Sequence, residues 1–253
     1  MPILPVADFL AMALPFVSPG PCDYRRPWDS IQRSRKPVSI RSTGTGFAAQ
    51  LAEASKDKPT AAMLTSRISD AYPEGLRNVA SLPDVTIVSG SADQDATLNG
   101  AAPVVFSTSA ANVLERPDEL LEECFGPTTM LIEYSDQEEL SAVLAMVPGS
   151  LTATVHAQPG EDGADLVEQL SGLAGRVLFD GWPTGLAVNW AQQHGGPYPA
   201  TTSLFTSVGA TAVRRFQRPV AYQDAPETVL HPALRESNPL GIPRRVDGEL
   251  VLP

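Results

Sequence analysis

Glu122, Glu123 and Cys124 stand side by side in the stretch LLEECFGPTTMLIEY, Leu120 to Tyr134, directly before Phe125, Gly126, Pro127 and a run of strand-forming residues. A carboxylate in such a place can accept hydrogen bonds or take up a proton, and a thiol becomes a nucleophile once it ionises. The other cysteine, Cys22, stands in SPGPCDYRR. Two cysteines about a hundred residues apart give neither a disulfide framework nor a zinc-ligand spacing, which fits a reducing, cytoplasmic setting. His156, His194 and His231 form no HxxxH or HxH pattern, so no metal site is expected.

These groups belong to a chain of 253 residues, 43% hydrophobic, long enough for one large domain or two small ones around a genuine core. A formal charge of −11 speaks against nucleic acid as a partner, since phosphate binding needs a basic surface, and favours a small-molecule ligand. No window reaches the roughly 18 apolar residues of a membrane span. The run FLAMALPFV, Phe9 to Val17, has the length of a signal-peptide core. Asp8 precedes it and no Lys or Arg lies upstream, so secretion is not expected.

Residues 1–46 differ from the rest. They carry six basic residues (Arg25, Arg26, Arg33, Arg35, Lys36, Arg41) against three acidic ones (Asp8, Asp23, Asp29), leaving twelve basic and twenty-six acidic for residues 47–253. With Pro21, Pro27 and Pro37 interrupting any helix, they read as an irregular basic leader. From Phe47 the pattern is α/β: helices near 47–56 and 66–82, then strands in VTIVSG, APVVFSTS and TTMLIEYS. DQEELSAVLAMV, Asp136 to Val147, sets Leu140, Val143, Leu144 and Val147 on one helical face, with Ser135 or Asp136 as the cap. LTATVHA and GRVLFDG supply further strands, and GADLVEQLSGLAG is an amphipathic helix whose closing glycines suit a helix C-terminus. The alternation predicts a mixed or parallel sheet flanked by helices, with polar function on loops at strand ends. After Asp180 come glycine- and proline-rich loops of the kind that line a site, and Pro219 to Pro253 reads as a proline-rich tail wrapping a surface.

Six segments in register over residues 47–253 resemble the C-terminal, catalytic-domain half of the aldehyde dehydrogenases, in particular the NADP-linked branch with the ketoglutarate semialdehyde dehydrogenases. They are NVLERPDELLEECFGP, LTATVHA, GRVLFDGWPTG, HGGPYPATT, TSVGATAVRRFQRPVAYQ and NPLGIPR. The resemblance implies an aldehyde dehydrogenase-like catalytic domain without the N-terminal cofactor-binding domain. It also implies a reaction in which a cysteine thiolate attacks an aldehyde, a hydride passes to NADP or NAD, and water releases the acid. Glu123 matches the glutamate that binds the nicotinamide ribose, and Phe125 the aromatic ring beside the nicotinamide. Trp182, with Pro183, Thr184 and Gly185, matches the loop of the aldehyde entrance; His194 and Tyr198 lie on the following loop. Asp180 stands where this branch commonly has asparagine. Arg214, Arg215 and Arg218 read either as an attraction for an acidic substrate or as solvated charge.

The family's Gly-Gln-x-Cys is absent, so the catalytic residues are unassigned. Cys22 reads either as a functionless surface thiol or as a nucleophile whose pKa two nearby arginines lower. PILPVADFLAMALPFVSPGP is faintly similar to the segment of the general base, with Asp8 in place of a glutamate; a leader peptide is the other reading. Two functions stay open. One is an NAD(P)-dependent oxidoreductase acting on a small-molecule aldehyde or semialdehyde. The other is a truncated, inactive family member that works only through binding or subunit association, as a homo-oligomer or with a missing cofactor domain.

Overall fold

Alternating apolar runs and amphipathic helices fold into a seven-stranded mixed sheet flanked by helices. The structure, a computed structural model, describes residues 9–13, 38–42, 46–56, 58, 60–63, 65–94, 100–156, 163–180 and 188–253. The strands of this sheet are β1 (Phe9–Ala13), β2 (Val38–Ser42), β4 (Thr86–Ser89), β6 (Val104–Ser109), β7 (Thr128–Tyr134), β8 (Thr152–His156) and β9 (Val177–Phe179). A separate short pair joins β3 (Ala61–Ala62) to β5 (Gly100–Ala101). The large sheet runs β4-β6-β7-β2-β1-β8-β9. Pairing is parallel for β6 with β7, β7 with β2 and β8 with β9, whereas β4 and β1 run against their neighbours. The strands β6, β7, β2, β8 and β9 therefore all begin at the same edge of the sheet.

The segment 1–46, expected to be irregular, supplies β1 and β2, which sit between β7 and β8 in the middle of this sheet. Val38–Ser42 follows Pro37 directly, and its pairing with β7 over five positions sets it in place. Neither strand shows in a short-range pattern: they pair with each other across the intervening stretch, and their outer partners β7 and β8 are far along the chain.

From Phe47 the expected elements appear in order. The helices are α1 (Phe47–Ser55), α2 (Ser66–Ala80), α3 (Ala110–Glu115), α4 (Pro117–Leu120), α5 (Gln137–Met146) and α6 (Ala164–Leu173). Residues Val104 to Thr108 of β6 and Thr152 to Val155 of β8 are buried without alternation, as in strands covered on both faces. The core joins Phe106, Met130 and Ile132 of the sheet to Leu76 of α2, Val113 of α3, Leu140 and Leu144 of α5 and Leu170 of α6. Asp136 caps α5: its Oδ1 accepts the Glu139 N–H at 2.9 Å, while Glu139 reaches back to the Ser135 N–H at 2.7 Å. The turn into β4 is tied down from beneath, where Asn112 donates to the Pro83 carbonyl and Thr108 to that of Asp84.

The glycine after α6 does a different job from the one expected. Ala174 is the C-cap, in extended conformation, and Gly175 is absent from the positive-φ residues. A Cβ at Gly175 would collide with the Gly195 carbonyl, so close backbone approach, and not a left-handed helix end, is what requires glycine there.

The chain divides into two compact units, Met1–Arg215 and Phe216–Pro253, and the proline-rich tail read from Pro219 falls within the second. That second unit holds 3-10 turns at Glu227–Val229 and Pro232–Leu234 and a hairpin of β10 (Arg244–Val246) and β11 (Glu249–Val251). Asp247 and Gly248 both have positive φ, 48° and 87°, the conformation of a two-residue hairpin turn whose twist matches its strands. Arg244 stitches the unit together by donating to the carbonyls of Arg235 (2.8 Å) and Glu236 (2.6 Å).

Candidate functional site

The turn from α4 into β7 sorts its side chains by residue. Glu122 is exposed, Glu123 half-buried, Cys124 buried at 4% exposure, and Phe125 exposed at 40%. Cys124 points its sulfur at α2, where a Cβ on Gly75 would come within 2.8 Å of Sγ. A side chain on Gly126 would strike the ring of Tyr72, also on α2, and Gly126 has φ 154°. The Tyr72 hydroxyl lies 3.1 Å from the Ala102 carbonyl and 3.3 Å from that of Pro127, as donor to both. Burial, with Cys124 beside it, pushes the Tyr72 phenol well up, so it remains a donor at any ordinary pH. The Pro127 carbonyl also accepts the Val104 N–H, and the turn closes with Thr128 N–H donating to Gly126. Glu123 and Phe125 are thus carried on the outer side of a turn whose inner side is packed on a helix.

His194 is placed at the same edge of the sheet, where β8 and β9 begin. Its N–H donates to Thr206 Oγ1 at 2.8 Å, and its carbonyl accepts from Ser207. The glycines that follow it press on the chain just before those strands. A Cβ on Gly196 would meet the Ser150 carbonyl, as one on Gly175 would meet Gly195. Burial and the nearby Arg176 guanidinium both lower the His194 pKa, which keeps the imidazole neutral. Between the entry of β7, which follows Glu123, and that of β8, beside the His194 loop, lie β2 and β1, so the two strand entries are roughly 15 Å apart at the usual spacing. Tyr198, on the same loop, is 80% exposed.

At the opposite edge, where β8 and β9 end, His156 Nδ1 lies 3.9 Å from Asp180 Oδ1. Asp180 has φ 49°, and its N–H donates to the Val155 carbonyl. Asp180 is therefore at the opposite end of the strands from Glu123, Phe125 and His194. Arg214 and Arg215 are exposed on a 3-10 turn at Ala212–Phe216. Trp182, Pro183, Thr184 and Gly185, like Cys22 and Asp8, lie outside the described residues. A cleft of about 470 Å³ between α1 and β4, lined by Glu53, Lys56, Ser89 and Gly90 among others, contains none of the expected site residues. Among the described residues no group of three or more His, Cys, Asp or Glu could hold a metal ion, and no helix is long and apolar enough to cross a membrane.

Two residues beside the expected ones were not legible in the sequence: Tyr72 and Arg176. Gly75, one helical turn after Tyr72, was the only local sign that this face of α2 meets something closely, and nothing ties either residue to Gly126, some fifty positions on. Arg176 precedes a strand and looks like any charge at a turn.

No family model matches the chain. Over 207 residues it is 42% identical to the alpha-ketoglutaric semialdehyde dehydrogenase 2 of Azospirillum brasilense, covering 80% of this chain and 39% of that protein. It is 40% identical over 167 residues to the alpha-ketoglutaric semialdehyde dehydrogenase of Acinetobacter baylyi, covering 65% of this chain and 31% of the relative. Betaine aldehyde dehydrogenase of Staphylococcus aureus, solved with NAD+, has the same fold over 70% of this chain and 36% of its own, with a TM-score of 0.53 at 14% identity. A mutant of that enzyme solved without NAD+ gives 0.53 at 13% identity. The chain spans well under half the length of these relatives, and over the stretch it shares with them it belongs to the aldehyde dehydrogenase superfamily.

Proposed function

We propose that this chain is part of an oxidoreductase that converts an aldehyde or semialdehyde into the carboxylate with NADP or NAD. Its own contribution to the cofactor is the turn before β7: Glu123 accepts hydrogen bonds from the ribose hydroxyls and Phe125 lies against the nicotinamide. The arrangement of that turn carries the reading. Its thiol faces inward while the half-buried carboxylate and the exposed ring face out, on a stretch that resembles the family's ribose-binding motif. A carboxylate suits two adjacent hydroxyl donors, and an exposed phenyl face suits a planar heterocycle. A bound NADP or NAD, held by Glu123 and Phe125, would supply the acceptor for the hydride of the aldehyde. The overall change, aldehyde with water and NAD(P)+ giving carboxylate, NAD(P)H and two protons, also needs a nucleophile and a base. Cys124 is too buried to serve as that nucleophile; within this chain, Cys22 is a candidate thiolate and Asp8 a candidate base.

Neutral His194 and the loop bearing Trp182 are the proposed lining on the aldehyde side. A neutral imidazole can donate one hydrogen bond to a carbonyl or carboxylate oxygen without holding a strong charge there. The second reading, a family member acting only through binding or subunit association, is favoured by one observation: the cysteine among the described residues is buried.

NADP and NAD titrations followed by saturation-transfer NMR test the cofactor reading. Binding of either nucleotide with a millimolar Kd is expected, weakened about tenfold by Glu123→Gln through loss of a charge-assisted hydrogen bond. An unchanged Kd in the variant, or no binding at about 20 mM nucleotide, overturns it. Reduced-nucleotide absorbance with ketoglutarate semialdehyde, abolished in Cys22→Ala, would assign the thiolate. No turnover, together with a stable oligomer in light scattering, would favour the second reading.

A further inference from the structure

We infer that Tyr72 is a positioning residue for the cofactor turn, holding residues 123–126 against α2 so that Glu123 and Phe125 are presented together. The inference rests on the cofactor reading above and extends it to a residue on another element.

Three contacts on one face of α2 support it. The ring of Tyr72 covers Gly126 so closely that no side chain fits there. One helical turn on, Gly75 leaves the space that Cys124 fills. The phenol then reaches past the turn to two carbonyls, Ala102 after β5 and Pro127 before β7. Thiol, ring and hydroxyl thus grip the turn at three of its four residues from 124 to 127: Cys124, Gly126 and Pro127.

The hydroxyl is not needed merely to satisfy those carbonyls. Ala102 already accepts from the Gln94 side chain at 3.0 Å, and Pro127 from the Val104 N–H at 3.0 Å. A phenylalanine in place of Tyr72 would therefore leave neither carbonyl without a donor and would keep the ring over Gly126. What it removes is the link from α2 to the start of β7. At 2% exposure Tyr72 cannot itself touch a bound nucleotide, so any effect it has on binding passes through the turn. Local order of this kind matters because a ligand-contacting turn that must be ordered on binding loses affinity to the entropy of ordering.

The test uses the full chain in a Cys22→Ala background, so that Cys124 is the thiol observed. Tyr72→Phe is compared with Val79→Ala, which truncates a buried residue on the same helix. Three quantities are read: the rate of Cys124 modification by a thiol reagent, the exchange rate of the Phe125 and Gly126 amides, and the Kd for NADP. In Tyr72→Phe the modification and exchange rates should rise about tenfold and the Kd about fivefold, while Val79→Ala lowers Tm and leaves all three ratios near one. Unchanged modification and exchange in Tyr72→Phe overturns the inference. So does a faster-exchanging turn with an unchanged Kd, or the same response in Val79→Ala. If the parent chain binds no nucleotide, the cofactor reading fails by itself, and a positioning role for Tyr72 in cofactor binding falls with it, even where exchange shows that Tyr72 still orders the turn.

Discussion

His194 gains its charge only against two opposing effects, partial burial of its ring and the Arg176 guanidinium, and both lower its pKa in the folded protein. In the unfolded chain its pKa returns to about 6.5, so below that value the unfolded state binds more protons. The stability held by neutral His194 is therefore fully present above about pH 6.5 and is lost as the pH falls toward the folded pKa. Thermal unfolding at about pH 7.5 and pH 5 should give a smaller drop in Tm for His194→Gln than for the parent. Equal drops would mean that the ring is not the group being titrated. At this scale the sequence was informative where neighbours along the chain carry the meaning. Glu123 and Phe125 are proposed for the cofactor on a contiguous motif, and the alternation that buries Cys124 between them is local. Tyr72 and Arg176 act on residues brought to them by the fold, and their own surroundings in the sequence look ordinary.

The helix α5 shows how much of an element can be legible. Its apolar face and its cap both follow from spacing, and the cap is reciprocal, Asp136 serving the Glu139 N–H and Glu139 the Ser135 N–H. Replacing Asp136 by alanine should cost about 1 kcal/mol in denaturant unfolding, whereas Asp136→Asn, which keeps an acceptor, should cost little. β6, β7 and β8 were equally legible, since continuous apolar and β-branched runs identify strands buried on both faces. β1 and β2 were not. Neither carries an extended alternation, proline lies close by, and beyond their pairing with each other each needs a second ladder from residues more than eighty positions away. The Gly175 error has a similar origin: a glycine after a helix suggests a left-handed cap, while the demand on it comes from a loop twenty residues later.

At the scale of the molecule, the second unit has no buried residue between Phe216 and Pro253, and Phe216, Tyr222, Val229 and Leu252 are all exposed. Turns, a hairpin and the Arg244 bonds define its path, but so small a unit without apolar burial lacks the main driving force for folding. A peptide of residues 216–253 should show no cooperative thermal transition and little amide dispersion in proton NMR. A sharp transition in the isolated peptide would disprove that view.

The place of β1 and β2 also sets a timetable. β1 and β2 are made before their neighbours β7 and β8, which arrive only about a hundred residues later, on the order of ten seconds at ordinary rates of synthesis. Until then β1 and β2 have only each other as a ladder and their outer edges stay open, the condition in which nascent chains pair with the wrong neighbour. The yield of folded chain should therefore depend on what shields those strands during translation, a dependence set by the order in which the strands enter the sheet and not by the strength of its finished core.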